Sequence, residues 1–488
     1  MVHESLPPAP SQPILIGQGQ RPVHLLPAMA NRHGLIAGAT GTGKTITLQV
    51  LAESFSRQGV PVFVVDVKGD LSGLGAPGRS HAKILERIER IGIPDFTFCA
   101  SPVELWDPLG EQGLPLRTTI TEMGPLLLGR LLSLNNIQQG LLALVFRVAD
   151  EQGLLLLDIQ DLRATLLHVA DNARALRSSY GNVSAASVGA VQRGLLALEQ
   201  QGADRIFGEP ALALGDLLRL DHRGRGLINV LAAERLLLAP DLYATLLLWL
   251  LAELYEELPE VGDLDRPKLM LFFDEAHLMF DDAPKALLDK VEQVVRLIRS
   301  KGVGVYFVTQ SPLDIPPPVL GQLGSRIQHA LRAFAPRDRK AVRSAAEAFR
   351  PNPDFDTTVA ITNLAVGEAL VSTLDDAGSP EPVQRVLIRP PESLIGPLTP
   401  GARQAVMSAS RLYASYHKSV DWESAYEILQ RRTRAASEAA KAVGGSATGR
   451  RRSDSPLEAL LKSAARSAGH HIGRQHVRGI LGALAGRR

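Results

Sequence analysis

One segment, Gly38-Ala39-Thr40-Gly41-Thr42-Gly43-Lys44-Thr45, restricts the fold of this chain more than any other. It matches the pattern G-x-x-x-x-G-K-[ST], whose glycines let the backbone curl so that several N–H groups face phosphate oxygens. In this pattern the lysine brings positive charge to the β- and γ-phosphates, and the threonine hydroxyl binds Mg²⁺. The segment, called the phosphate loop below, predicts a P-loop site for ATP with Mg²⁺, in which Lys44 also assists hydrolysis and Thr45 holds the metal.

The hydrophobic pattern around the phosphate loop predicts a mostly parallel β-sheet flanked by helices. An apolar run at 34–37 precedes the loop, helical spacing follows at 46–58, and a second apolar run fills 60–66. Strand, helix and strand of these lengths are typical of a parallel sheet with crossover helices, so the predicted fold class is α/β. Further strands are predicted at 96–100, 226–231, 268–273, 304–308, 327–334, 368–373 and 384–388.

Changes in composition along the chain predict its organisation. The predicted parts are a leader and short N-terminal cap at 1–33, the nucleotide-binding core at 34–103 and 226–390, a large Leu-rich helical insertion at 104–225, a helical C-terminal segment at 391–443, a flexible linker at 444–456 and a short basic helical tail at 457–488.

The single cysteine and the absence of long apolar stretches point to the cytoplasm. Cys99 has no partner for an intramolecular disulfide, which fits a reducing compartment, and we expect it to be buried at a strand end. The first residues lack the basic and apolar regions of a signal peptide. The most hydrophobic stretch, 242–252, has about half the length of the roughly 20 apolar residues that a bilayer requires, so no membrane span is expected.

Charge is distributed unevenly along the chain. Residues 431–488 hold 13 Lys and Arg against 3 Asp and Glu, so that a basic tail follows an acidic body. Such a tail is typical of contact with an anionic partner such as nucleic acid. A solvated tail that only improves solubility is the alternative.

Two adjacent acids follow the apolar run at 268–273. At a strand end beside the phosphate loop, Asp274 is placed to hold Mg²⁺ through water, and Glu275 to polarise the attacking water. The structural alternative is that the two acids simply begin a helix. Gln310 ends the next predicted strand and is expected to position the water over the γ-phosphate, with a plain turn as its alternative.

Two arginines, Arg326 and Arg332, are candidates for contact with the γ-phosphate of a neighbouring subunit. The sheet edge considered so far offers no obvious second cation from the same chain, which predicts a site shared between subunits of a ring. Ordinary salt-bridging roles are the alternative for both arginines. Thr47 and Asp66 complete the predicted nucleotide-binding residues, Asp66 because it closes the second strand at the same edge.

Six segments carry a resemblance that none of them carries alone. They are 30–37 running into the phosphate loop, Asp66-Val67-Lys68-Gly69-Asp70-Leu71-Ser72, Phe273-Asp274-Glu275-Ala276-His277, Val308-Thr309-Gln310, Ser325-Arg326-Ile327 and Val366-Gly367-Glu368-Ala369-Leu370. Together they resemble the HerA/FtsK superfamily of ring ATPases, and within it a bacterial HerA-like subfamily. The resemblance implies a RecA-like core, a homo-oligomeric, hexameric ring and movement of DNA.

Two other functions stay open from the sequence. One is an ATP-switched assembly or scaffold protein, or a motor for an unidentified protein partner, without action on DNA. The other is a DEAH-box helicase, because Asp274-Glu275-Ala276-His277 spells that motif. The long separation of Lys44 from Asp274 argues against the helicase.

Overall fold

A computed structural model describes residues 11–281, 285–332 and 335–444 of the chain. The chain divides into two compact units. The first contains residues up to Thr119, Arg130–Ser133 and Leu196–Asp421, and the second contains Ile120–Gly129, Leu134–Leu195 and the chain from Trp422. The predicted basic tail at 457–488, and the predicted linker beyond Gly444, lie outside the described residues.

All the strands of the described residues lie in the first unit. They are β1 (Ile14–Gln18), β2 (Pro22–Leu25), β3 (Gly34–Ala37), β4 (Val62–Asp66), β5 (Val103–Asp107), β6 (Leu114–Pro115), β7 (Ile228–Ala232), β8 (Leu269–Phe273), β9 (Val303–Thr309), β10 (Ser325–Gln328), β11 (Glu368–Ser372) and β12 (Gln384–Ile388).

These strands form one sheet in the order β2-β1-β12-β11-β10-β3-β9-β8-β4-β7-β5-β6. Every neighbouring pair from β10 to β6 is parallel, whereas β11, β12, β1 and β2 add to β10 in antiparallel fashion. The predicted α/β class with a mostly parallel sheet is therefore confirmed. Strands β3, β9, β8 and β4 all end at one edge, named the carboxyl edge here, and the opposite edge is the amino edge.

Most helices of the described residues lie between strands, and the last three follow β12. They are α1 (Lys44–Arg57), α2 (Ala82–Ile91), α3 (Ile120–Leu131), α4 (Asn136–Gln152), α5 (Ile159–Asp171), α6 (Ala173–Tyr180), α7 (Ala185–Gln200), α8 (Leu214–Leu217), α9 (Pro240–Glu257), α10 (His277–Phe280), α11 (Lys285–Ile298), α12 (Pro317–Leu320), α13 (Pro336–Glu347), α14 (Thr357–Thr362), α15 (Pro400–Ala409), α16 (Tyr413–Tyr416) and α17 (Ala425–Gly444). In the described part of the chain, none is long and apolar enough to span a membrane.

The sheet forms the core of the first unit because its central strands are apolar on both faces. Every residue of β4, β8 and β9 is buried, as expected of parallel strands covered on both sides. Helix α1 packs Leu48, Leu51 and Phe55 into the same core cluster. The phosphate loop therefore joins two elements that are anchored firmly.

The structure corrects the predicted strand at 96–100. That segment contains no strand, and β5 lies a few residues later, in the range predicted to be mostly helical. Trp106 of β5 is fully buried and donates its indole N–H to Asn229 Oδ1 at 3.0 Å, which ties β5 to β7. The prediction that Cys99 is buried at a strand end is wrong too, because Cys99 is exposed in a loop.

The second unit is helical within its described residues. Helices α4 and α5 begin with capping boxes, in which Asn135 and Asp158 accept hydrogen bonds from the first turn. Asp161 of α5 also accepts hydrogen bonds from the Ser424 hydroxyl and, at 2.9 Å, from the Tyr426 N–H, where α17 begins. Helix α17 is thereby fixed to α5 at its start.

Candidate active site

The phosphate loop connects β3 to α1 at the carboxyl edge. Gly41 and Gly43 have φ angles of 77° and 116°, which residues with a Cβ rarely adopt. Helix α1 begins at Lys44, so its first free N–H groups and the positive end of its dipole face the loop. Lys44 is buried, and its Nζ donates to the carbonyls of Gly38 at 2.7 Å and Ala39 at 3.2 Å. This set of donors suits phosphate oxygens.

A buried histidine, His329, supports the phosphate loop from the end of β10. Its ring hydrogen-bonds with the Thr47 hydroxyl at 2.9 Å and with the Glu368 carbonyl at 3.0 Å. A Cβ at Gly38 would lie 2.5 Å from the His329 Cβ, so this position requires glycine. Burial lowers the pKa of His329 to about 4, which keeps the ring neutral at physiological pH. Sequence reasoning missed this residue.

Two residues predicted to contact nucleotide, Thr47 and Asp66, make hydrogen bonds within the protein. Thr47 is fully buried, and its hydroxyl pairs with His329. Asp66 is buried at the end of β4 and accepts hydrogen bonds from the N–H groups of Gly69 at 2.8 Å and Leu71 at 2.9 Å. Burial raises the pKa of Asp66 to about 7. This geometry fits supporting roles for both residues, and their direct contact with nucleotide stays a prediction.

Asp274 and Glu275 directly follow β8 and lie at the carboxyl edge. Asp274 is 5% exposed, and burial raises its pKa to about 6. The hydroxyl of Tyr243, on α9, donates to the Asp274 carbonyl at 2.6 Å. Glu275 has a φ of 47°, a conformation that is uncommon for residues with a Cβ and that clusters at functional sites. The end of β8 is thus held in one defined geometry.

Three side chains surround the Glu275 carboxylate. The Lys68 ammonium lies 3.1 Å from Oε1, while Gln310 Nε2 and His277 Nδ1 lie 3.3 Å and 3.5 Å from Oε2. Burial favours the neutral acid, but the contacts with Lys68, Gln310 and His277 outweigh it, so the pKa of Glu275 is below its usual value. The structure therefore brings Gln310 and Glu275 together, and Lys44 lies close enough to interact electrostatically with Glu275.

Lys68 corrects the expectation that this edge lacks a second cation from the same chain. It follows β4, the neighbour of β8 in the sheet, and its side chain is 36% exposed. Burial alone would lower the pKa of Lys68, but Asp274 and Glu275 offset that effect and raise it above the usual value. The available signal was its position, two residues beyond a strand that ends at the same edge.

The two predicted arginines lie at different edges of the sheet. Arg332 is exposed and lies beyond the end of β10, on the side of the carboxyl edge. Arg326 lies near the start of β10 and lines a cavity of about 450 Å³ at the amino edge. Arg32, Arg296 and Arg299 line the same cavity, and its described lining includes no carboxylate. This cavity, lined by the four arginines, is called the arginine cavity below.

The chain matches the family described as Helicase HerA-like C-terminal over residues 12–488. A curated protein of Methanocaldococcus jannaschii named "Probable helicase MJECL08" is 31% identical over 121 residues, which are 24% of this chain and 21% of that protein. The chain thus aligns with about a fifth of that relative's length.

Solved structures of the plasmid coupling protein TrwB are similar in fold. Its complex with the ATP analogue ADPNP matches with a TM-score of 0.52 and 16% identity, over 75% of this chain and 87% of that chain. Its complex with the GTP analogue GDPNP matches with a TM-score of 0.51 and 16% identity, over 78% of this chain and 95% of that chain. At this level of identity the likeness shows the fold.

Proposed function

Because this chain belongs to the HerA-like C-terminal helicase family, we propose that it is an ATP-hydrolysing motor that forms a hexameric ring and acts on DNA. The observation that carries the proposal is the meeting of the phosphate loop, Asp274, Glu275 and Gln310 at one edge of a parallel sheet. The complex of TrwB with ADPNP supports ATP as the nucleotide. The single cysteine supports the further proposal that the motor works in the cytoplasm.

The residues present fit Mg²⁺ bound together with ATP. Magnesium in such sites is held by one or two protein oxygens and by the substrate phosphates, and needs no all-protein cage. Consistent with this, the described residues contain no cluster of three or more His, Cys, Asp or Glu that could hold a metal. Thr45 and Asp274 would hold the ion, which when bound neutralises charge on the phosphates.

Hydrolysis follows from the roles of the residues around Glu275. Glu275 accepts a hydrogen bond from the attacking water, whose oxygen bonds to the γ-phosphorus as the bond to the β-phosphate oxygen breaks. The water proton passes to the Glu275 carboxylate, and the products are ADP and phosphate. Gln310, at 3.3 Å from Glu275, is placed to orient the same water. Lys44 stabilises the negative charge on the β- and γ-phosphates.

The arginine cavity supports a ring. A ring of identical subunits joins two different surfaces of the same protein, one from each neighbour. Here the phosphate loop lies at the carboxyl edge and Arg326 lies in the arginine cavity at the amino edge. Contact between these edges would bring guanidinium groups to the γ-phosphate of the next subunit. We therefore favour Arg326 over Arg332 as the residue that acts in trans, a role worth about 10³- to 10⁵-fold in rate.

Mixing two inactive variants tests the shared site. Lys44→Ala removes the phosphate contact, and Arg326→Ala removes the arginine contributed to the neighbour. In a mixed ring, an intact site forms wherever the phosphate loop of an Arg326→Ala subunit meets Arg326 of a Lys44→Ala subunit, so ATPase activity should partly return. Lys44→Ala mixed with Glu275→Gln is the matched control, because no interface then has both intact cis residues. A monomer that hydrolyses ATP at full rate at every concentration would refute the ring.

Stimulation of hydrolysis by DNA tests the proposed substrate. ATPase rates are measured with duplex DNA, with single-stranded DNA and without DNA, at several salt concentrations, because phosphate contacts weaken as salt rises. A motor that acts on DNA is expected to hydrolyse ATP several-fold faster with DNA at low salt. Equal rates under all conditions would favour the ATP-switched scaffold or the motor for a protein partner.

A further inference from the structure

The turn that carries Lys68 is held by hydrogen bonds to the end of β4. Asp66, two residues before Lys68, accepts hydrogen bonds from the N–H groups of Gly69 and Leu71, which follow it. Gly69 has a φ of 78°, and a Cβ there would lie 1.7 Å from Glu234 Oε1. Because these hydrogen bonds tie the turn to the end of β4, the position of Lys68 at the carboxyl edge follows from the fold.

Negative and positive side chains meet at this edge from two neighbouring parts of the sheet. Strand β8 supplies Asp274 and Glu275, and the turn after β4 supplies Lys68, whose ammonium lies 3.1 Å from Glu275 Oε1. Burial and, after it, the charge of Lys68 lower the pKa of Lys44, so the two ammonium groups are close enough to repel each other. Lys68 is therefore near both the phosphate loop and the acid that polarises water.

An ordinary surface ion pair would not explain this arrangement. Such pairs join exposed groups, and they contribute little because both partners are well solvated without each other. The Glu275 side chain is only 9% exposed, and Gln310 holds its second oxygen at 3.3 Å. Removal of the ammonium would leave Oε1 of a mostly enclosed carboxylate unpaired, with only the contacts of Gln310 and His277 at Oε2 to orient it.

We propose that Lys68 is a positioning residue of the ATPase site, which orients the Glu275 carboxylate and adds a second positive charge in cis beside the phosphate loop. The inference rests on the proposed ATPase function and refines it. The two lysines then have different roles: Lys44 contacts the phosphates, and Lys68 aligns the Glu275 carboxylate that acts on water. Loss of the partner that orients a metal-binding side chain typically costs about 10- to 100-fold in metal affinity or activity, and we expect a loss of similar size for Glu275.

Three variants of the full chain test the proposal. Lys68→Met keeps the length of the side chain and removes its charge, whereas Lys68→Arg keeps the charge. Lys290→Met is the matched control, because Lys290 is also partly buried but donates its hydrogen bond to Gln293, on the same helix α11. Binding of a fluorescent ATP analogue with Mg²⁺ gives Kd, and steady-state hydrolysis gives kcat and KM. Lys68→Met should lower kcat by about 10- to 100-fold with a much smaller change in Kd, and Lys68→Arg should recover part of the loss.

A double-mutant cycle with Glu275→Gln separates positioning from a general effect. If Lys68 acts through Glu275, the double variant hydrolyses ATP no more slowly than Glu275→Gln alone, because residues that work as a unit are not additive. A fully additive loss, or a Lys68→Met protein with the kcat of the wild type, would overturn the proposal. A wild-type protein that binds ATP without hydrolysing it would refute the ATPase function and this inference with it.

Discussion

Tyr243→Phe tests how the end of β8 is held, by removing a single oxygen atom. The Tyr243 ring is fully buried on α9, and its hydroxyl donates to the Asp274 backbone carbonyl at 2.6 Å. Phenylalanine keeps the ring and its packing, so the change isolates one hydrogen bond. That bond fixes the peptide unit between the two acids, and its loss should affect both the stability of the protein and the chemistry.

The size of the effect follows from the burial of this contact. A buried acceptor that loses its partner costs about 1 to 3 kcal/mol in the free energy of unfolding. If the same loss appeared entirely in the transition state for hydrolysis, kcat/KM would fall by about 5- to 150-fold, because each 1.36 kcal/mol is about tenfold in rate. We expect a value nearer the lower limit, since the φ of 47° at Glu275 and its side-chain contacts still restrain the strand end.

Thermal unfolding and steady-state ATPase assays measure the two effects. Tyr255→Phe is the control, because Tyr255 lies on the same helix but is only partly buried, with its ring against the Lys301 ammonium. The control should match the wild type in both assays. If Tyr243→Phe also matches the wild type in melting temperature and in kcat/KM, the hydrogen bond to Asp274 does not hold the site.

Three further predictions address the site, the tail and acid sensitivity. Lys44→Ala should abolish or severely weaken ATP binding, whereas Glu275→Gln should keep binding and lose turnover; a Glu275→Gln protein with the ATPase rate of the wild type would remove Glu275 from the mechanism. Truncation after Gly444 keeps α17 and removes nine Lys and Arg against two Asp and Glu, so it should weaken DNA binding and flatten its dependence on log[salt], and an unchanged slope would favour a solvated tail. Burial holds the pKa of His33 at about 4 against 6.5 for the free side chain, so its stabilising contribution is complete above about pH 6.5 and is lost as the pH falls towards 4. The stability advantage of the wild type over His33→Gln should therefore shrink by about 2 kcal/mol from about pH 7 to about pH 5, as read from denaturant unfolding, and a constant difference would contradict the buried neutral state.

The sequence predicts best those parts of the fold whose pattern is local. Strands β4, β8 and β9 are continuous apolar runs, as parallel strands covered on both faces must be, and β12 occupies the predicted 384–388. The segment 96–100 misled because Phe96 and Phe98 alternate with smaller residues as in a strand. Those two rings pack edge to face in a loop, and the fully buried aromatic residue nearby is Trp106, in β5.

The carboxyl edge was predictable for a similar reason. Once a parallel sheet is assigned, residues that directly follow its strands must meet at one edge, whatever their separation in the chain. Asp274, Glu275 and Gln310 follow from that rule and from their chemistry. Lys68 satisfies the same rule, but a lysine in a turn after a strand is common on protein surfaces, and only the 3.1 Å contact with Glu275 distinguishes it.

The role of His329 could not be predicted from the sequence pattern. It lies 282 positions from Thr47 in the chain, and its role depends on β10 being the neighbour of β3, which pattern alone does not give. Strand β10 is only four residues long, and it carries Arg326 in the arginine cavity and leads directly into His329 under the phosphate loop. Both residues owe their places to one strand order and one register, with Arg326 opposite Leu35 and Gln328 opposite Ala37. A shift of that register by one residue would turn both side chains to the other face of the sheet, so the amino-edge cavity and the support of the loop depend on the same pairing.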